Sequence, residues 1–290
     1  MRDFETLFDR GEPSAIEYPA YRRYGKLGFP SIPADRPWIY SNFVQSLDGI
    51  ASFKGRHATG GDISQLPEDR WLMDLLRAHA DAVLLGVNTL MEETQLVEDL
   101  GPVYTIEDQD LRKLRETLGR GRETNIFVTG AASLDLSAYR VFDSDSVDTF
   151  LVTTDVGAAR LAEKKSHPHV KVIVAGKGVF VDLASAMRLL REEYAIERLL
   201  CEGGPTLYGY MSRAGLIDEK FFTVSPVEIG FYVPREQEPA NSEKSNPPKE
   251  RPTTFMAPGF VKENAPWWEW LSCRRIGEHQ FNRYRRRHLP

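Results

Sequence analysis

Between Trp38 and Met211 the chain alternates short apolar runs with longer segments of helical period, and that alternation narrows the folds open to it. Trp38–Val44 is rich in aromatic and β-branched residues and reads as a first core strand. A helix is expected to start near Ser64–Pro67, after which Leu72, Leu75, Leu76 and His79 fall on one face. Ala82-Val83-Leu84-Leu85-Gly86 follows as a wholly apolar strand, a composition that suits a sheet covered on both faces. The same rhythm predicts strands at 125–129, 149–153, 170–175 and 198–201. It predicts helices at 107–118, 156–164, 181–194 and from Pro205 to Met211. Such alternation gives an α/β fold with a mostly parallel sheet and helices on both faces.

The flanks differ. Residues 1–36 are rich in Tyr, Pro, Gly and charge, show no period, and read as an N-terminal extension over a main domain at 37–290. Residues 234–252 hold almost no large apolar side chain. They cannot bury enough surface to offset their ordering entropy and are expected to form a mobile insertion loop. Segments 269–275 and 280–286 read as a closing antiparallel hairpin around Gly277. The arginines at its end, Arg283, Arg285, Arg286 and Arg287, read as a polar strand face running into a solvated tail. The net charge of −5 disfavours a general nucleic-acid binder.

No apolar run reaches the roughly 18 residues of a membrane span. The acidic start, MRDFETLFDRGEPS, has no apolar leader core, so a cytoplasmic protein is expected. Cys201 and Cys273 lack the close spacing of a thiolate metal site, and the six histidines form no ligand pattern, so no metal is expected. Cys201 reads as a buried, inert thiol, and His167 and His169 as a solvated loop pair.

The strongest local signal for chemistry is Leu199-Leu200-Cys201-Glu202-Gly203-Gly204-Pro205-Thr206-Leu207, an apolar strand running through two glycines into a helix that Pro205 opens. Free amides and the helix dipole at such a terminus attract anions, and glycine lets the backbone approach a phosphate. A plain tight turn explains the same residues equally well when they are taken alone. Gly86 with Thr89, and Gly176, mark two further strand ends of similar design. Three such ends favour an extended phosphate-bearing ligand beyond the carboxyl edge of a sheet. The G-x-G-x-x-G turn, the G-x-x-x-x-G-K-[ST] loop and the G-x-S-x-G elbow are all missing. In Ser46-Leu47-Asp48-Gly49, Asp48 reads either as a turn former or as a reactive group. Gly60-Gly61-Asp62-Ile63-Ser64 suits a loop over a ligand, or the start of the following helix.

These pieces, in this order, resemble the reductase domain of riboflavin biosynthesis. That domain is the C-terminal half of the bifunctional deaminase/reductase and also occurs as a stand-alone pyrimidine reductase. The resemblance rests on Ser46-Leu47-Asp48-Gly49, on Arg77-Ala78-His79-Ala80-Asp81-Ala82-Val83-Leu84-Leu85-Gly86 with Thr89, on the Glu202–Leu207 turn, and on Ala214–Glu219 with Ser225-Pro226. It implies a dihydrofolate-reductase-like three-layer fold, a homodimer, and NADPH as hydride donor. The implied substrate is a 5-amino-6-(5-phosphoribosylamino) pyrimidine, whose opened ribosyl chain becomes ribityl.

Carried over by motif, Gly86 and Thr89 would meet the cofactor. Glu202, Gly203, Gly204, Thr206 and Leu207 would hold its pyrophosphate region, Thr153 or Thr154 would lie near the 2′-phosphate, and Gly176 near the adenosine. Ser46, Gly60 and Asp62 are candidates for the substrate side and Asp48 for the proton donor. The deaminase's His-x-Glu and Pro-Cys-x-x-Cys zinc set is missing from the sequence. The family's frequent Asp-Asp-Pro stretch is replaced by Glu92-Glu93-Thr94. That departure keeps open another substrate on the same fold, a dihydropterin or a carbonyl compound. A non-catalytic NADP-binding protein is the reading from outside the enzymes.

Overall fold

The computed structural model describes residues 1–53, 60–96, 99–164, 167–234 and 249–287. In chain order these form β1 (Glu5–Asp9), α1 (Tyr21–Tyr24), β2 (Trp38–Gln45), α2 (Gly60–Ser64), α3 (Pro67–His79), β3 (Ala82–Gly86), α4 (Val87–Thr94) and α5 (Gln109–Thr117). There follow β4 (Thr124–Val128), β5 (Asp148–Thr153), α6 (Asp155–Ala162), β6 (Val170–Val174), α7 (Leu183–Glu192), β7 (Arg198–Gly203), α8 (Pro205–Arg213) and β8 (Glu219–Val224). The hairpin strands β9 (Trp268–Ile276) and β10 (His279–Arg286) close the chain.

All ten strands join one sheet in the order β1-β9-β10-β8-β2-β7-β3-β4-β5-β6. From β8 to β6 every neighbouring pair is parallel; β10, β9 and β1 add antiparallel pairs at one edge. The expected mostly parallel mixed sheet with a closing hairpin is therefore what the chain builds. Successive strand residues feed opposite cores. Leu84, Ile126 and Cys201 pack with Met187, Leu190 and Met211 under α7 and α8. Val83, Leu85 and Phe127 pack with Leu90 and Phe142 on the other face, where Tyr40 and Leu200 meet Leu72, Leu75 and Leu76 of α3. This two-sided burial explains the unbroken apolar runs. Cys201 is fully buried, and burial pushes its thiol up to about 12.

Residues 1–36 are fastened to the sheet and contribute Phe4, Tyr21, Tyr24 and Leu27 to its core. β1 pairs antiparallel with β9 as an edge strand. Arg36 holds Asp218 through two 2.7 Å bonds. Arg285 bonds Glu12 at 2.5 Å and Glu219 at 2.6 Å, while Arg283 pairs with the buried Glu219 at 2.7 Å. On the expected polar strand face Arg283 is buried rather than exposed, with a carboxylate and the Gly28 carbonyl as its partners. The solvated histidine pair is corrected likewise at His167. That side chain is buried between Ser137 Oγ at 3.3 Å and Asp143 Oδ1 at 3.0 Å. Most of the expected insertion loop, 235–248, lies outside the described residues; Val233 and Lys249, on either side of it, are joined by a backbone bond of 2.8 Å.

Candidate active site

The carboxyl ends of the parallel strands open on a cleft with two lobes that meet at Thr89, Glu92, Gly204 and Pro205. The first lobe, about 670 Å³, lies between the end of β2, the α2–α3 corner and residues 102–107. The second, about 630 Å³, lies between the N-termini of α4 and α8, the end of β4 and residues 179–183. Both volumes suit a small organic ligand.

Two helices start at the junction. Gly86 caps α4 and Gly204 caps α8, each with extended backbone and no side-chain cap, so the first-turn amides of both helices lack intrahelical acceptors. Gly203 holds φ +103°, a conformation that disfavours side chains, and a Cβ there would lie 3.0 Å from the Phe43 ring. A Cβ on Gly204 would lie 2.8 Å from Thr89 Oγ1. The Gly203–Gly204 peptide is cis. Side chains are thus kept out of a turn where two dipoles and one hydroxyl converge, an arrangement suited to a phosphate-bearing ligand. Gly86, Thr89, Thr206 and Leu207 line the second lobe with Gly204.

The first lobe is built from side chains. A register shift between β3 and β7 sets Leu84 opposite Cys201 and Leu85 opposite Gly203. Glu202 falls in the shift, where Arg77 of α3 grips it at 2.7 and 2.6 Å. Both side chains are nearly inaccessible, at 4% and 6% exposed. Burial works against the Arg77 charge, and Glu202 more than offsets it, so the guanidinium is held above its ordinary value. Arg77 also donates to the Thr105 carbonyl at 2.7 Å, which fixes the 102–107 wall. On that wall the Tyr104 hydroxyl donates to Glu93 at 2.7 Å. Burial pushes the Glu93 carboxyl up against that hydrogen bond, and the Glu202 charge adds to the rise.

The remaining sequence candidates scatter. Ser46 is buried, accepts from the Ile50 amide at 2.8 Å and donates to Asp48 at 2.5 Å. Asp48 also accepts from the Gly230 and Ile229 amides at 2.6 and 3.2 Å. Burial opposes ionisation of Asp48, but the bonds from Ser46 and these amides prevail and hold its carboxyl below the ordinary value. Neither residue is among those lining the two lobes, and a lowered pKa makes Asp48 a poor proton donor at neutral pH.

Thr153 and Thr154 are also away from both linings, and both are buried. The Thr154 hydroxyl bonds the Gly130 and Gly178 carbonyls at 2.9 and 2.6 Å and caps α6 through the Gly157 amide. Gly176 lies in the turn that leads to the lobe-lining Val179–Val181. Gly60 and Asp62 lie on α2, next to the lining residue Gly61. Sequence reasoning missed Asp69 and Tyr104 as site residues, and took Arg77 only as part of a motif. A signal for Arg77 was present: a charged residue placed among the apolar positions of α3.

The family model of the RibD C-terminal domain matches residues 37–245, most of the chain. The chain belongs to the RibD C-terminal domain family. Among its RibD-family relatives, a protein of Archaeoglobus fulgidus named 2,5-diamino-6-ribosylamino-4(3H)-pyrimidinone 5′-phosphate reductase is 28% identical over 202 residues, 67% of this chain and 83% of that one. A protein of the same name from Methanothermobacter thermautotrophicus is 28% identical over 196 residues, 67% of this chain and 80% of that one. The fold is shared with a solved pyrimidine reductase-like protein of Corynebacterium diphtheriae. That structure has a TM-score of 0.63 at 21% identity, over 88% of this chain and 94% of that one.

Proposed function

We propose that this protein is an NADPH-dependent reductase of a 5-amino-6-(5-phosphoribosylamino) pyrimidine, converting the ribosyl chain to ribityl in riboflavin biosynthesis. The observation that carries the reading is the two-lobed cleft joined at Gly204 and Thr89. Cofactor and substrate must meet at a shared wall for hydride transfer, and this cleft offers one. The side-chain-free Gly203-Gly204 turn and the two helix N-termini fit a pyrophosphate in the second lobe. Bound there, NADPH supplies the hydride. The chain's own part is positioning: the α4 and α8 amides and the Thr89 hydroxyl orient the cofactor, and Phe43 and Leu85 give the first lobe apolar lining. Arg77 holds the Glu202 side chain in place at the lobe wall through two hydrogen bonds. The names of the archaeal relatives and the family match support the same reaction. The homodimer implied by the family resemblance and the cytoplasmic setting expected from the sequence belong to this reading.

The test is NADPH titration followed by turnover. Binding well below ~100 μM, with NADPH oxidation on the phosphoribosylamino pyrimidine, is the expected result. Turnover of dihydrofolate alone would replace the substrate assignment, and failure to bind NADPH would overturn the enzyme reading.

A further inference from the structure

Strand β8 carries charge on both faces of the sheet, and the two faces are balanced differently. On the α3 side Glu219 pairs with Arg283 at 2.7 Å and with Arg285 at 2.6 Å. Lys220, the next residue, points to the α8 side. Its ammonium lies 3.9 Å from the centre of the Trp268 ring and 5.7 Å from that of Tyr208. Arg286 of β10 is on the same side: it stands opposite Trp268 on β9, while Tyr284, two residues earlier, stands opposite Lys220. Its guanidinium lies against Gly215, where a Cβ would come within 3.2 Å of Nη1.

These groups are all donors. Nη1 of Arg286 is buried with no hydrogen-bond partner among the described residues. The same holds for the hydroxyl of Ser41, the β2 neighbour of Lys220 in the parallel register. No carboxylate answers Lys220: burial and then the like charge of Arg286 push its ammonium down to about 8. Two half-buried cations beside each other are costly without a counter-charge, and a buried donor without an acceptor adds to that cost. A phosphate dianion supplies what the cluster lacks, since it brings two negative charges and oxygens that accept from ammonium and guanidinium alike. Ser41, Lys220, Trp268 and Arg286 are not among the residues lining either lobe of the cleft.

We propose that Lys220 and Arg286, beside Trp268, form a second anion site, separate from the reductase cleft, that takes a phosphate dianion, free or as the end group of a small phosphorylated molecule. The site stands on its own geometry and goes beyond the reductase reading. Trp267, 62% exposed, is the residue before Trp268 and leaves an aromatic surface next to the site for the remainder of an esterified ligand.

The test is calorimetric titration of the full chain with inorganic phosphate and, separately, with phenyl phosphate, in a buffer free of other oxyanions. A dissociation constant on the order of 1 mM is expected for at least one of the two. Tighter binding of phenyl phosphate assigns an ester, and tighter binding of phosphate the free ion. Lys220→Met and Arg286→Leu should each weaken binding by about tenfold or more, while Lys220→Arg, which keeps the charge, should retain most of it. Gly204→Val, which alters the turn of the cleft, should leave it unchanged. At roughly twenty times the dissociation constant the ligand should raise the wild-type melting temperature by about 2–4 °C more than that of Lys220→Met or Arg286→Leu. A melting transition in each variant without ligand shows that it folds. Failure of both probes to bind at about 50 mM overturns the proposal. So does binding that survives Lys220→Met and Arg286→Leu, or that is lost in Gly204→Val, because that anion sits in the cleft.

Discussion

The two lobes of the cleft are built by different means. The second is a backbone site: helix N-termini, a hydroxyl and a turn from which side chains are excluded. The first is a side-chain site, in which the Arg77–Glu202 pair, the Tyr104–Glu93 bond and the hydroxyl-held Asp69 come from segments far apart in sequence. A backbone site tolerates many changes but fails at a glycine. A side-chain site fails by losing one partner of a buried pair.

Gly204→Val should break the backbone lobe outright. Its side chain would collide with Thr89 at the junction, and NADPH affinity should fall by a factor on the order of one hundred in a fluorescence titration. Retained affinity would remove the turn from the cofactor site. In the side-chain lobe, Glu202→Ala leaves the Arg77 charge buried without its partner. The cost should be about 3–5 kcal/mol in urea unfolding, and the double variant Arg77→Met with Glu202→Leu should recover most of it without recovering turnover. Stability close to wild type in Glu202→Ala would mean that water reaches the pair.

Thr154→Val sharpens the boundary of the second lobe. Its hydroxyl serves the α6 cap and two carbonyls, so the change should cost about 1–2 kcal/mol of stability. The ratio of NADPH to NADH affinity should stay the same. A loss of NADPH preference would return Thr154 to the 2′-phosphate. The smallest effect concerns Asp69. Its carboxyl is raised in the fold, so the protonated form is favoured there, and ionisation reduces stability as the pH rises above the ordinary aspartate value. Asp69→Asn should therefore raise the melting temperature by a few degrees at neutral pH. The gain should vanish near pH 3, where both states are protonated; a gain independent of pH would point to packing instead.

The same contrast decides how much could be read from the sequence. Strand–helix alternation gave the parallel sheet, because two-sided burial writes itself as apolar runs. Glycines at Gly86, Gly203 and Gly204 marked the backbone lobe, because close approach leaves a compositional trace. The short α4 was hidden behind the Gly86–Thr89 turn that opens it. β1 was hidden because an edge strand with one charged face carries no strong alternation, and its pairing with β9 comes from the far end of the chain. Thr153 and Thr154 looked available at a strand end but are buried by the Gly130 and Gly178 loops. The side-chain lobe was nearly illegible: nothing local to Asp69 or Tyr104 shows that α3, β7, β8 and the 102–107 wall converge.

The central claim is that the two lobes bring a nicotinamide and a phosphoribosylamino pyrimidine together at the Gly204–Thr89 junction for hydride transfer to the sugar. The most direct measurement is a single turnover with NADPH deuterated at C4 of the nicotinamide, with the product read by mass spectrometry and NMR. The account requires one deuterium at C1′ of a newly formed ribityl chain. Deuterium in the pyrimidine ring, or a ribosyl chain left unreduced while NADPH is bound, would contradict it.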